Sequence, residues 1–270
     1  METRDLTHKL DKLIEALESG EKDETFSAFL RTMGRFRSYS WGNCALIWSQ
    51  RPEATLVAGF HGWKKQGRSV RRGEKGIAIL VPMTVKIKEV ADTGEEWETG
   101  EMRVVFKTGY VFDLTQTEGK DLEATNFKRD LGDLSSEKAA LEAMLAERGV
   151  VVEYDTLMVG DNGFANTGHV TVSANNPIGV QTQTLAHELA HHLLHFGDER
   201  PGRVKRETEA EAVTCVVLAA LGHDVTVNAA NYIAAHGGKG GDLRDSFGRV
   251  LLAARIVIEG LEPKETARAA

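Results

Sequence analysis

The residues with most chemistry to offer lie in Leu185-Ala186-His187-Glu188-Leu189-Ala190-His191-His192-Leu193-Leu194-His195, which contains the pattern H-E-x-x-H. On a helix, positions i and i+4 share a face one turn apart. His187 and His191 can therefore aim two imidazoles at one tetrahedral Zn2+ ion. Glu188 can reach a water at the open position without binding the metal, and can take the water's proton as it attacks a carbonyl. The bare pattern recurs by chance, so its surroundings matter. Leu185, Leu189, Leu193 and Leu194 set it on an apolar helix, where two unpartnered histidines would be costly to desolvate. The chemistry expected is metal-assisted hydrolysis, with Glu188 as the catalytic base.

A third ligand must come from another element. Eighteen residues beyond His191 stands Glu209, within Arg206-Glu207-Thr208-Glu209-Ala210-Glu211-Ala212-Val213. Glu209 shares a helical face with Ala212, Val213, Val216 and Ala220, the side that should pack inward. We therefore expect Glu209 as the ligand, with Glu207 and Glu211, off that stripe, as alternatives. His195, one turn beyond His191, reads as a packing residue.

A second group of residues suits a polyanion. The chain carries a net charge of −7, yet the twelve basic residues between Arg31 and Lys88 face only Glu53 and Glu74. That segment is +10 and the remainder −17, an asymmetry expected where one segment meets nucleic acid. Aromatic residues interleave with the cations, the combination used for the phosphates and unstacked bases of single strands. Tyr39 and Trp63 are the stacking candidates, whereas Trp48 and Phe60 sit in apolar runs and should be buried. Asn43, Lys64, Arg68, Arg71, Arg72 and Lys75 complete the expected DNA-binding set. Asn43 and Gln50 can equally hold backbone groups, and Gly73-Glu74 reads as a turn.

These residues need elements to place them. Leu6, Leu10, Leu13 and Leu17 recur at helical spacing, and Gly20 should end that helix. A second helix should run from about Thr25 towards Phe36 and a third from Trp41 to Ser49. Strands are expected over Leu56–Phe60, Gly76–Pro82 and Met102–Leu114, with a hairpin tip at 92–96 after a strand ending near Val90. Thr115–Asp133 reads as an irregular linker. Beyond it come a helix over 136–148 capped by Ser135 or Ser136, strands at 150–154 and 169–173, and helices near 178–196, 204–221, 226–235 and 241–260. The fold class is α+β, with one domain over 1–125 and a second, mainly helical with a small sheet, over 126–270. No apolar run is long enough to span a membrane, and the charged start lacks a secretory pattern. Cys44 and Cys215, far apart in apolar helices, read as buried thiols of a cytoplasmic protein.

The C-terminal half resembles the ImmA/IrrE-like metallopeptidases, in which a His-Glu-x-x-His helix precedes one reading Glu-x-Glu-Ala, here Glu209-Ala210-Glu211-Ala212. The resemblance implies a zincin-like zinc metallopeptidase domain with Glu209 as ligand, and a hairpin before the motif helix, near Gly163–Ser173. The chain departs from that family after the second helix, reading Val217-Leu218-Ala219-Ala220-Leu221-Gly222 in place of a Leu-Leu-Met-Pro type ending. Residues 25–120 are similar to the N-terminal domain of the ArdC antirestriction family. The likeness is carried by Tyr39-Ser40, Asn43, Leu46-Ile47, Gln50, Pro52, Trp63-Lys64, Gly67-Arg68, Gly73-Glu74-Lys75-Gly76-Ile77 and Val111-Phe112-Asp113-Leu114. It implies a single-stranded DNA-binding domain of a mobile element, fused to a peptidase related in arrangement to Spartan-type crosslink proteases. The expected function is protection of incoming DNA, with cleavage of DNA-bound proteins as substrates. The alternatives are a non-enzymatic shield with a structural zinc site, and a regulatory peptidase that cuts a repressor. The latter would suit a helix-turn-helix, which the sequence does not display.

Overall fold

The structure, a computed structural model, describes residues 2–18, 23–90, 96–121, 134–156, 163–166, 168–195, 201–223 and 240–262. Contacts divide the chain into two units, one of residues 1–13 and 45–122, the other of 14–44 and 123–270. Residues 14–44 thus pack with the C-terminal half, an arrangement that the linear division at 125 does not contain.

The first unit is built on a long ribbon. Strands β3 (Ile77–Val90) and β4 (Glu96–Asp113) pair antiparallel from Ile77↔Val111 to Lys86↔Met102, resuming past a bulge at Lys88↔Glu98. β3 ends at Val90, as expected, whereas β4 starts before the expected Met102, because cross-strand pairing carries it through polar sequence. Strand β1 (Val57–Gly59) lines the other edge of β4. Helix α1 (Thr3–Glu18) presents Leu6 and helix α3 (Trp41–Gln50) presents Leu46, and these meet Ala78 in a core that Leu80 flanks. Gln50 closes that contact by donating to the Ala78 carbonyl at 2.9 Å and accepting the Ala78 N–H at 3.0 Å. Its role is structural.

Helix α4 (Phe60–Lys65) leads into β2 (Arg68–Val70), which pairs with β5 (Thr117–Gly119). β5 occupies the start of the stretch expected to be an irregular linker. The rest of that stretch, from residue 122 on, lies outside the described residues.

The second unit is mainly helical. Helix α2 (Asp23–Arg35) lies on α7 (Arg203–Ala220), and α7 packs against α6 (Ile178–Leu194) and α8 (Gly240–Leu261). Phe26, Phe29 and Trp41 pack on Phe247 of α8, at ring-centroid distances of 5.2–6.0 Å. Each of the three buried phenylalanines contributes about 1.5–3 kcal/mol by leaving water, and the half-buried Trp41 adds to the cluster. Gly34 lets α2 rest on backbone: a Cβ there would lie 2.5 Å from the Val216 carbonyl oxygen.

Helix α5 (Ser135–Ala146) packs on α6 and is followed by a three-stranded sheet. In it β8 (His169–Ser173) is central, antiparallel to β7 (Gly163–Asn166) and parallel to β6 (Val151–Asp155). The α5 N-cap is Leu134, with no side-chain cap bond, rather than either serine. The helix expected near 226–235 and the hairpin tip at 92–96, save for Glu96, lie outside the described residues. Cys44 and Cys215 are both free and buried, and burial pushes the Cys44 thiol up to about 12. No described helix is long and apolar enough to cross a membrane.

Candidate metal centre and nucleic-acid surface

Gln181 anchors the start of α6 by donating to the carbonyls of Ser173 and Asn176 at the end of β8. Leu185, Ala186, Leu189 and Ala190 bury the helix's inner face. This leaves His187 and His191 at its half-open edge, with side chains 24% and 18% exposed. Helix α7 brings Glu207 to the pair. Its Oε2 lies 3.4 Å from His187 Nε2 and 3.5 Å from His191 Nε2, and the two nitrogens are 3.0 Å apart. Donors at about 2.0–2.1 Å from a tetrahedral ion sit about 3.3 Å from one another. The three atoms therefore fit the edges of one coordination shell. Among the described residues they are the one such donor cluster, and they can hold a divalent metal ion.

Glu209 is elsewhere. It is fully buried, as its helical face foretold, and its carboxylate meets His195 rather than the imidazole pair. Its Oε2 meets His195 Nε2 at 3.0 Å, and its Oε1 accepts from Ser246 at 2.8 Å and from Arg249. Residues two apart on a helix point about 200° from each other, so Glu207 and Glu209 cannot serve one point. Glu207, expected to be solvated, is the one at the half-open edge. His195 is also not a mere packing residue, because its Nδ1 lies 3.1 Å from His191 Nδ1. A chain of polar contacts thus runs from Glu209 through His195 to the outer nitrogen of His191. Glu211 is exposed and joins neither group.

The electrostatics suit metal capture. Burial, then neighbouring His187, hold His191 well below the usual imidazole range, so it presents the neutral form that binds cations. Glu188 is displaced the other way: burial, then the Glu207 carboxylate, push it up to about 7. It is the carboxylate left over beside the donor cluster.

The basic segment is sorted by the fold into structural and surface cations. Trp63, expected to stack on bases, is fully buried and donates Nε1–H to the Phe112 carbonyl at 2.8 Å. Phe60, expected to be buried, is 43% exposed. The two are three residues apart at the ends of a one-turn apolar run, and sequence alone does not say which end meets the core. Arg68 is also turned inward, donating to Thr117 Oγ1 at 2.8 Å and to the Thr117 and Lys120 carbonyls. Arg71 is exposed and held by Glu74 and the Thr115 carbonyl. Lys64, Arg72 and Lys75 are exposed. Tyr39 and Asn43 belong to the second unit. There Arg255 donates to the Tyr39 carbonyl, and Asn43 is buried with its N–H on Ser40 Oγ.

The 71–75 loop is held by the turn after β4. Asp113 and Gln116 form a capping box there. Gln116 also donates to Glu74 and to the Lys75 carbonyl, and Gly73 supplies the positive φ of 88°.

Comparison with known proteins gives this arrangement a context. Residues 3–112 match the family model described as the N-terminal domain of anti-restriction factor ArdC. Over that stretch the chain is ArdC-like. Its fold is that of the antirestriction ArdC protein from the R388 plasmid. The metal-free crystal structure aligns at a TM-score of 0.56 and 21% identity, covering 95% of this chain and 97% of that one. An Mn(II)-bound structure of the same protein aligns at 0.55 and 18%, covering 96% and 99%. An uncharacterised protein of Bacillus anthracis is 25% identical over 258 residues, covering 79% of this chain. The ArdC-like chain spans 43% of the length of that relative.

Proposed function

We propose that this ArdC-like chain is a single-stranded DNA-binding zinc metallopeptidase of a mobile element, protecting incoming DNA and cleaving proteins bound to it. The observation that carries the reading is the gathering of His187, His191 and Glu207 around one point, with the protonatable Glu188 beside them. Held there, a zinc ion would act as a Lewis acid towards a peptide carbonyl and an attacking water. His187, His191 and Glu207 would hold the ion, and Glu188 would take the water's proton on its carboxylate and pass it to the leaving amine. A purely structural site has no use for such a base, which weighs against a shield without catalysis.

The test is cleavage of a protein bound to single-stranded DNA by the zinc-loaded chain, alongside Glu188→Gln. Glu188→Gln is expected to bind zinc as tightly as the wild type while hydrolysis falls at least about a hundredfold. DNA binding with no hydrolysis in either protein would instead establish the non-enzymatic shield. Cleavage that depends on duplex rather than single-stranded DNA would favour a peptidase acting on a repressor.

A further inference from the structure

With Trp63 inside the fold, other rings are on offer at the surface of the first unit. Phe60 and Tyr110 are 43% and 49% exposed. They are neighbours by register, since Gly59 pairs with Val111 and these are the next residues along each chain. Tyr110 is propped from beneath: a Cβ on Gly76 would lie 3.0 Å from Tyr110 Cβ and 3.1 Å from Phe112 Cζ, so the aromatic side chain rests against bare backbone. Cations stand close by. Lys64 Nζ lies 4.9 Å from the Phe60 ring centroid. Arg72 and Lys75 project from the 71–75 loop, which Gln116 and Glu74 hold in shape. Lys75 and Gly76 are consecutive, so one short segment carries a cation and the seat of a ring. Glu74, the acid within that loop, accepts from Arg71 and Gln116.

Half-exposed rings, one of them backed by bare backbone and both near positive charge, match the faces of unstacked bases and the phosphates between them. A duplex keeps its base faces stacked and offers such rings nothing. We propose that Phe60 and Tyr110 form the base-stacking pair of a single-stranded DNA track whose phosphates are met by Lys64, Arg72 and Lys75. This rests on the single-strand binding in the function proposed above, and it names the surface responsible.

The experiment is fluorescence anisotropy of the full chain with labelled oligothymidylate and a duplex across a salt series, using wild type, Phe60→Ala, Tyr110→Ala, Tyr110→Phe and Lys75→Ala. Each ring-to-alanine change should weaken single-strand binding about tenfold at an unchanged salt slope, since stacking releases no counterions. Tyr110→Phe should restore affinity, and Lys75→Ala should lower the slope by about 0.7. A parallel measurement needs no variant: ultraviolet crosslinking of oligothymidylate to the wild-type chain, mapped by mass spectrometry, should give adducts at Phe60 or Tyr110. Wild-type binding left intact by both alanine changes, or adducts confined to other residues, overturns the stacking pair alone. Absence of single-strand binding by the wild type overturns the function proposed above and the pair with it.

Discussion

At the scale of single residues, two buried carboxylates have different work. Glu209 is fully enclosed and answered by His195, Ser246 and Arg249. Its reach through His195 to the outer nitrogen of His191 would fix which imidazole nitrogen is turned towards a metal ion held beside His187. Glu209→Gln should lower unfolding stability by about 2–3 kcal/mol and weaken zinc binding about tenfold or more. Urea unfolding and chelator competition measure the two. Unchanged zinc affinity in a folded variant would show that the contact to His195 is only structural. Asp113 is the second case. Burial alone would raise its pKa, but the Thr115 hydroxyl and the N–H groups of Thr55, Thr115 and Leu56 outweigh it and hold the carboxyl below its usual 3.8. A depressed folded-state pKa means its stabilisation is complete above that value and fades as pH falls through the lower, folded one. Asp113→Asn should cost about 2 kcal/mol at neutral pH, with the gap to wild type closing in acid. Urea titrations at a series of pH values decide it.

At the scale of elements, the closest approach is α2 on α7 at Gly34. Gly34→Ala places a methyl against the Val216 carbonyl and the Ala220 N–H, and a backbone cannot rotate aside as a side chain does. A loss of about 1–3 kcal/mol is expected. Because α7 also carries Glu207, zinc affinity should fall with it; calorimetric titration of the folded variant checks this. Helices were the elements most legible in the sequence: of the expected stripe Leu6 and Leu10 are buried, while Leu13 is half-buried and Ile14 beside it takes the inward position, and α6 ends within two residues of the expected point. Short strands were not. The three-residue β2 and β5 have no period to read, and their pairing depends on a partner 49 residues away. The parallel β6–β8 ladder is likewise a product of the crossover, invisible to local pattern. At the site, His187, Glu188 and His191 come from one helix, so their spacing could be read locally. The carboxylate that α7 brings to the histidine pair is the half-exposed Glu207, whereas Glu209, expected from the helical stripe, is buried and engaged by His195, Ser246 and Arg249.

At the scale of the whole chain, the basic block seen in the sequence is shared between units. Arg31, Arg35 and Arg37 fall in the second, where Arg37 pairs with Glu262, and the cations from Arg51 onward fall in the first. A cut at residue 125 therefore does not release a self-sufficient binding domain. The fragment 1–125 would retain α2 without α7 and α8, baring Phe26, Phe29, Leu30 and Met33, all buried in the full chain. It should aggregate or run as multimers in size-exclusion chromatography, while the full chain stays dispersed. A monomeric, well-folded fragment would show that α2 has another place to bury those residues.

Order of synthesis gives the α8 contacts a further meaning. The histidine pair on α6 and the glutamates on α7 are made before Ser246 and Arg249, which α8 supplies. On the ribosome, where structure forms from the N-terminal side first, Glu209 must wait without two of its partners. Phe26 and Phe29 must wait likewise for Phe247. A nascent chain can carry every metal-binding side chain and still lack the scaffold that holds them in place. The setting around Glu209 would then be completed only after α8 has left the ribosome.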